Sequence, residues 1–168
     1  MTRVSQPSPI RTSQTSNGLV AAEVVVLDDR LLIEELLVGL PRGRRRPSMF
    51  TTSYWYYRAC RAAVAGAGGH LSGPFAQLAV REQERAILSL LELREDIGLP
   101  DPRSTVPAMA DASRRHAQLN LPNLEAVAAA RLLGATVWLS APAANGVLPG
   151  ALDAEGLRWT VVSLANVG

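Results

Sequence analysis

The sequence predicts an α/β protein: a central, mainly parallel sheet of four or five strands between two helical layers, a three-layer α/β/α sandwich. Three observations carry this expectation. "LVAAEVVVLDD" ends in four apolar residues, three of them β-branched, followed by two acids. A strand covered on both faces reads this way, because neither side can carry polar groups. Strand-like and helix-like segments then alternate to the end of the chain, which is the pattern of parallel βα units. The length of 168 residues and the apolar fraction of 48% suit one domain with a full core.

The elements follow in chain order. Residues 1–18, "MTRVSQPSPIRTSQTSNG", have no apolar core segment and are expected to be a disordered tail rather than a secretory signal. Residues 19–168 are read as a single domain. The first strand places Asp28 and Asp29 at its carboxyl end. "RLLIEELLVGL" sets Leu32, Ile33, Leu36 and Leu37 at helical spacing, and Gly39 and Pro41 stop it. "PRGRRRP" is a proline-bounded loop. In "TTSYWYYRACRAA", Thr51, Thr52 and Ser53 are candidate caps for a helix over residues 53–65. "GAGGHLSGP" reads as a flexible break, since it lacks the lysine and spacing of a phosphate loop.

"FAQLAVREQERAILSLLELRED" predicts a long helix, and "IGLPDPRSTVPAM", with three prolines, a loop containing one short strand. "DASRRHAQLN" predicts a short helix. "LPNLEAVAAARLLGA" predicts a strong one, with Pro122 in an early position and Gly134 as its stop. "TVWLSA" is a buried strand, "GVLPGALDAEG" a short helical segment and "LRWTVVSL" the last strand.

Composition limits the function. All 17 basic residues are arginine, yet the net charge is only +2, so the chain is no polycation. The basic charge is local. No acid lies between Glu35 and Glu82, a window holding Arg42, Arg44, Arg45, Arg46, Arg58, Arg61 and Arg81. Such a field either attracts phosphate or is a solvated surface. Of these, Arg42, Arg44, Arg45, Arg46 and Arg58 are the candidate RNA contacts, with Tyr54, Trp55 or Tyr56 available to stack on bases. One cysteine, Cys60, excludes an intrachain disulfide. No apolar run approaches the roughly 20 residues that span a bilayer. No membrane association and a cytoplasmic location are expected. His70 and His116 have no zinc-like spacing partners.

Ligands of open parallel sheets gather beyond the carboxyl ends of the strands, which makes Asp28 and Asp29 the positional candidates for chemistry. The alternative is that one of them caps the helix that follows.

With these segments in order, the chain resembles the PIN-domain family, which includes the VapC-type toxin ribonucleases. The resemblance rests on "VVVLDDRLLIEELL" at one end and "LPNLEAVAAARLLGATVWLS...LPGALDAEGLRWTVV" at the other, and covers most of residues 20–164. It implies carboxylates gathering Mg²⁺ or Mn²⁺ for RNA hydrolysis. Asp28 matches the acid after the first strand, Glu125 the acid of the Ala-rich helix, and Ser140 the small hydroxyl residue after the fourth strand. Asp28 and Glu125 are thus the implied catalytic and metal-binding residues, with Asp29 as an additional metal candidate and Ser140 supporting them.

Two expected acids are replaced. Pro142 stands where one should follow Ser140, and Tyr57 or Arg58 stands where the second helix should carry glutamate. Asp29 and Asp111 are the remaining acids near the pattern, but spacing selects neither. Two readings follow. One is a Mg- or Mn-dependent endoribonuclease, the toxin of a toxin–antitoxin pair, with an incomplete site. The other is a catalytically inactive PIN-like module, without a cofactor, that binds RNA or a protein. The partners implied are RNA, an antitoxin or other protein, and a second copy in a homodimer.

Overall fold

A computed structural model describes residues 22–41, 45–65 and 78–163. Residues 1–21, which include the expected tail, residues 42–44, residues 66–77, which include the whole of the expected flexible break, and residues 164–168 lie outside the described residues. The elements are β1 (Val24–Leu27), α1 (Asp29–Leu37), β2 (Ser48–Thr51), α2 (Ser53–Ala65), α3 (Val80–Leu91), β3 (Ile97–Gly98), α4 (Pro102–Arg115), α5 (Leu121–Leu133), β4 (Thr136–Leu139), α6 (Ala141–Ala144), α7 (Leu148–Ala154) and β5 (Trp159–Val161).

Five strands form one sheet in the order β3-β2-β1-β4-β5, and every pairing is parallel. Val25, Val26 and Leu27 of the central strand are fully buried, as the unbroken apolar run requires of a strand covered on both faces. Successive side chains point to opposite faces. Val26, Val137 and Leu139 therefore pack with α5 and α7, through Val127, Ala130 and Leu152 among others. Val25, Leu27 and Met49 pack with Leu31 and Leu32 of α1, Ala59 and Ala63 of α2, and Leu90 of α3. Alanines on α2 and α5 leave room for the backbones to approach the sheet. The expected α/β/α sandwich is the architecture found.

Two segments differ from expectation. "SMFT" forms β2, paired with β1 from Val24↔Ser48 to Leu27↔Thr51. Four residues with a polar one at each end show no periodicity of their own; the strand exists because β1 offers it an edge. Residues 102–109, expected as loop, begin α4. The Asp101 carboxylate accepts the Arg103 N–H at 3.2 Å, and Pro102 takes the first turn, where its missing N–H costs nothing. Pro107 sits on the solvent side and forgoes one helical bond. Residues 111–115 continue this helix rather than forming a separate one. The short strand expected in this region is Ile97–Gly98.

Other boundaries follow local chemistry. Gly134 closes α5 at φ 60°, the left-handed conformation that lacks a penalty only for glycine. Gly98 lies so close to the Phe50 ring that an added Cβ would stand 2.4 Å from it. The aromatic helix distributes its four rings by position. Trp55 is buried in the core. The Tyr56 hydroxyl donates to the Leu91 carbonyl at 2.7 Å and ties α2 to α3. Burial, followed by the neighbouring Cys60, pushes the Tyr56 phenol up to about 12. Tyr54 and Tyr57 remain exposed.

Candidate functional site

The sheet order reverses direction between β1 and β4, with β2 and β3 on one side and β5 on the other. The first residue after each of these two strands is polar: Asp28 after β1 and Ser140 after β4. Both are buried. Asp28 Oδ1 accepts the Leu31 N–H at 2.8 Å and caps α1. Asp28 Oδ2 accepts both the Ser140 N–H and the Ser140 hydroxyl, each at 2.7 Å. A carboxylate has about four acceptor positions. Asp28 spends three of them holding together the two central strand ends and the start of α1.

Glu125 lies on α5 but serves α2. Its Oε1 accepts the Ser53 N–H at 3.0 Å and its Oε2 the Tyr54 N–H at 2.8 Å. Thr52 Oγ1 takes the next one, the Trp55 N–H, at 3.1 Å. The first N–H groups of a helix have no partner within it, and the helix dipole favours an anion there. A buried carboxylate with two charge-assisted bonds meets both needs. The Thr51 hydroxyl donates to the Leu27 carbonyl at 3.0 Å and joins the ends of β2 and β1.

Asp29 is different. Its Oδ1 accepts the Arg30 N–H at 3.0 Å. Its Oδ2 lies 2.8 Å from Arg58 Nε, but no N–H points at it, so the contact is an ion pair without a directed hydrogen bond. The Asp29 carboxyl is pushed up to about 6 from 3.8: burial raises it most, the Arg58 charge pulls it back, and the Asp28 charge raises it again. A native value above the ordinary one means that the fold favours the protonated form. The stability this group contributes is complete below about pH 4 and is lost as pH rises through 6. Relative to Asp29→Asn, the wild type is expected to be less stable at pH 7.5 than at pH 4.5 by about 2 kcal/mol. Urea unfolding of both proteins at the two pH values checks this; parallel curves would contradict it.

The arginines do not form one surface. Arg58 lies at the carboxyl end of the sheet, beside Asp29. Arg46 pairs with Asp96 at 3.1 Å and approaches Glu35 at 3.8 Å. With Arg45 it lines a cleft of about 170 Å³ that also includes Glu23, Pro47, Met49 and Trp138. Glu23 and Pro47 directly precede β1 and β2, which places this cleft toward the amino ends of those strands. Arg42 and Arg44 lie outside the described residues.

Sequence reading passed over two buried carboxylates. Glu35 accepts the Leu40 N–H at 2.8 Å and pairs with Arg94 at 2.6 Å. Glu155 gathers Arg115 and His116, each at 2.8 Å, together with Arg131. Glu35 lies among leucines at helical spacing and Glu155 follows a short helix, so neither position marks burial.

The carboxylates as arranged do not fit a hard divalent cation, which needs several oxygen ligands around one point. Among the described residues, no group of three or more His, Cys, Asp or Glu side chains is placed to hold a metal ion. The Asp28 and Glu125 oxygens already accept protein N–H and O–H groups, and a guanidinium stands beside Asp29. The undirected Asp29 Oδ2 argues the other way, but one oxygen is not a ligand set.

Comparison with known proteins bears on the fold. A chain from the 2.2 Å structure of VapBC-1 from nontypeable Haemophilus influenzae is similar over 82% of this chain and 97% of that chain, with a TM-score of 0.53 and 12% identity. The fold is PIN-like. At this identity the likeness extends to the fold alone. No family model matches the chain, and no curated protein matches it. Among the described residues, no helix is long and apolar enough to cross a membrane.

Proposed function

We propose that this chain is a PIN-like module that binds single-stranded RNA on the exposed face of α2 and does not cut it by divalent-metal chemistry. One observation carries the reading. Tyr54, Tyr57, Arg58 and Arg61 follow the i, i+3, i+4, i+7 spacing of a single helical face, and all four are exposed. Tyr57 is 59% exposed, too open for a core residue. No acid occurs anywhere on α2 to repel a phosphate. Exposed rings beside guanidinium groups suit unpaired bases and their backbone, because stacking accepts any base and arginine binds phosphate through a planar fork. The face begins at the carboxyl end of β2, where open parallel sheets collect their ligands.

The toxin reading implied by the PIN-like resemblance needs RNA cleavage, and the carboxylates described above are engaged in capping. A second reading has support from Val64, Leu88 and Leu91, which are exposed on α2 and α3 and would suit a protein partner. The name VapBC-1 is that of a complex, and an antitoxin-like protein would be a partner of this kind.

Fluorescence anisotropy with a labelled single-stranded RNA of roughly a dozen nucleotides tests the RNA reading. Saturable binding that weakens as salt rises is expected, with Tyr57→Ala reducing affinity about tenfold. Binding that is absent, or indifferent to Tyr57→Ala, would remove this face as the RNA site.

A further inference from the structure

We infer that Arg58, held against Asp29, is a phosphate-binding group of this face, and that Asp29 is the residue that positions it. The inference rests on the RNA reading of α2 and goes beyond it by assigning one phosphate subsite and its support. The two members of the pair differ in exposure. The Asp29 side chain is 9% exposed and that of Arg58 51%. The anion belongs to the interior, therefore, while the cation reaches from it toward solvent. A surface ion pair between two mobile side chains has no such direction.

Guanidinium chemistry makes the arrangement useful. Arginine has five N–H donors and no acceptor. The nitrogen nearest Asp29 is Nε, at 2.8 Å. Among the described residues, no hydrogen bond of the protein uses either Arg58 Nη. The two Nη groups form the edge that binds a phosphate through paired bonds. A free arginine loses rotamer entropy when it binds, whereas one whose inner end is already restrained loses less. Tyr54 and Tyr57 stand four residues and one residue before Arg58 on the same helix, so a nucleotide whose phosphate meets Arg58 has a ring within reach of its base. Asp29 thus takes the acidic position after Asp28 and uses it to anchor a protein cation.

The decisive variant is Asp29→Asn, because two accounts give opposite signs. If Asp29 is only a nearby negative charge, its neutralisation strengthens RNA binding. If it positions Arg58, binding weakens despite the more favourable net charge. Anisotropy with the same labelled RNA is measured for the wild type, Asp29→Asn, Arg58→Lys and Arg58→Gln, with circular dichroism to verify folding. A three- to tenfold weakening is expected for Asp29→Asn, about tenfold for Arg58→Lys, which keeps the charge and loses the fork, and a salt slope smaller by about one for Arg58→Gln. A wild type that binds RNA while Asp29→Asn binds equally or more tightly would overturn the inference and leave the RNA reading intact. A wild type that does not bind RNA would overturn both.

Discussion

Replacing Glu125 with alanine is expected to lower the unfolding free energy by about 3 kcal/mol, as read from urea denaturation followed by circular dichroism. The Glu125 carboxylate gives one oxygen to each of the first two N–H groups of α2, at 3.0 and 2.8 Å, from a position 4% exposed. Alanine removes both acceptors, leaves a cavity, and takes away the negative charge facing the positive end of the helix dipole. Glu125→Gln preserves the size and one acceptor oxygen, but its NH₂ group then faces a backbone donor. It is expected to lose about half as much. A loss below about 0.5 kcal/mol for the alanine variant would mean that Glu125 is not the cap described. The result bears on function because a metal ligand in a cluster of acids relieves repulsion when removed, whereas a cap exposes unpaired donors.

Asp28→Ala is expected to cost as much or more, about 3–4 kcal/mol. It strands three donors at once: the Leu31 N–H, the Ser140 N–H and the Ser140 hydroxyl. Asp28 is fully buried and Ser140 only 3% exposed, so water does not readily replace the lost acceptor. Asp28→Asn, the usual conservative change for testing a catalytic acid, is not structurally silent. Whichever way the amide lies, its NH₂ faces a donor that the carboxylate accepted. Ser140→Ala removes one donor together with its need, so the double variant with Asp28→Ala is expected to lose less than the sum of the two single losses. Strict additivity in a thermodynamic cycle would contradict the coupling between the β1 and β4 ends.

Much of the fold was legible because its strongest signals are local. "VVVL" followed by an acid, the Pro122-to-Gly134 helix and the "TVWL" strand each state their type within a dozen residues. β2 was not legible, since "SMFT" becomes a strand through its pairing with β1 on one side and β3 on the other. The start of α4 was obscured by prolines: Pro102 occupies a position that suits proline, and Pro107 lies where the lost bond faces solvent.

At the site, sequence reading selected Asp28, Ser140, Glu125 and Asp29 as the residues to examine. It gave Asp28 and Asp29 as candidates for chemistry, with capping of the next helix by one of them as the alternative, and Asp28 caps α1. It could not foresee that Glu125 binds the N-terminus of a helix 71 and 72 residues away in sequence, or that Arg58 reaches Asp29. Such pairings depend on how α2 and α5 pack over the sheet, and no spacing rule encodes them.

The central claim, that these carboxylates hold the fold together and a protein cation stands beside them, meets its most direct test in a Mn²⁺ titration of the wild-type protein. Electron paramagnetic resonance reads the free ion. The expected result is no saturable binding up to about 1 mM Mn²⁺. One ion bound per chain, released by Arg58-preserving substitution of Asp28 or Glu125 in a variant that remains folded, would contradict it.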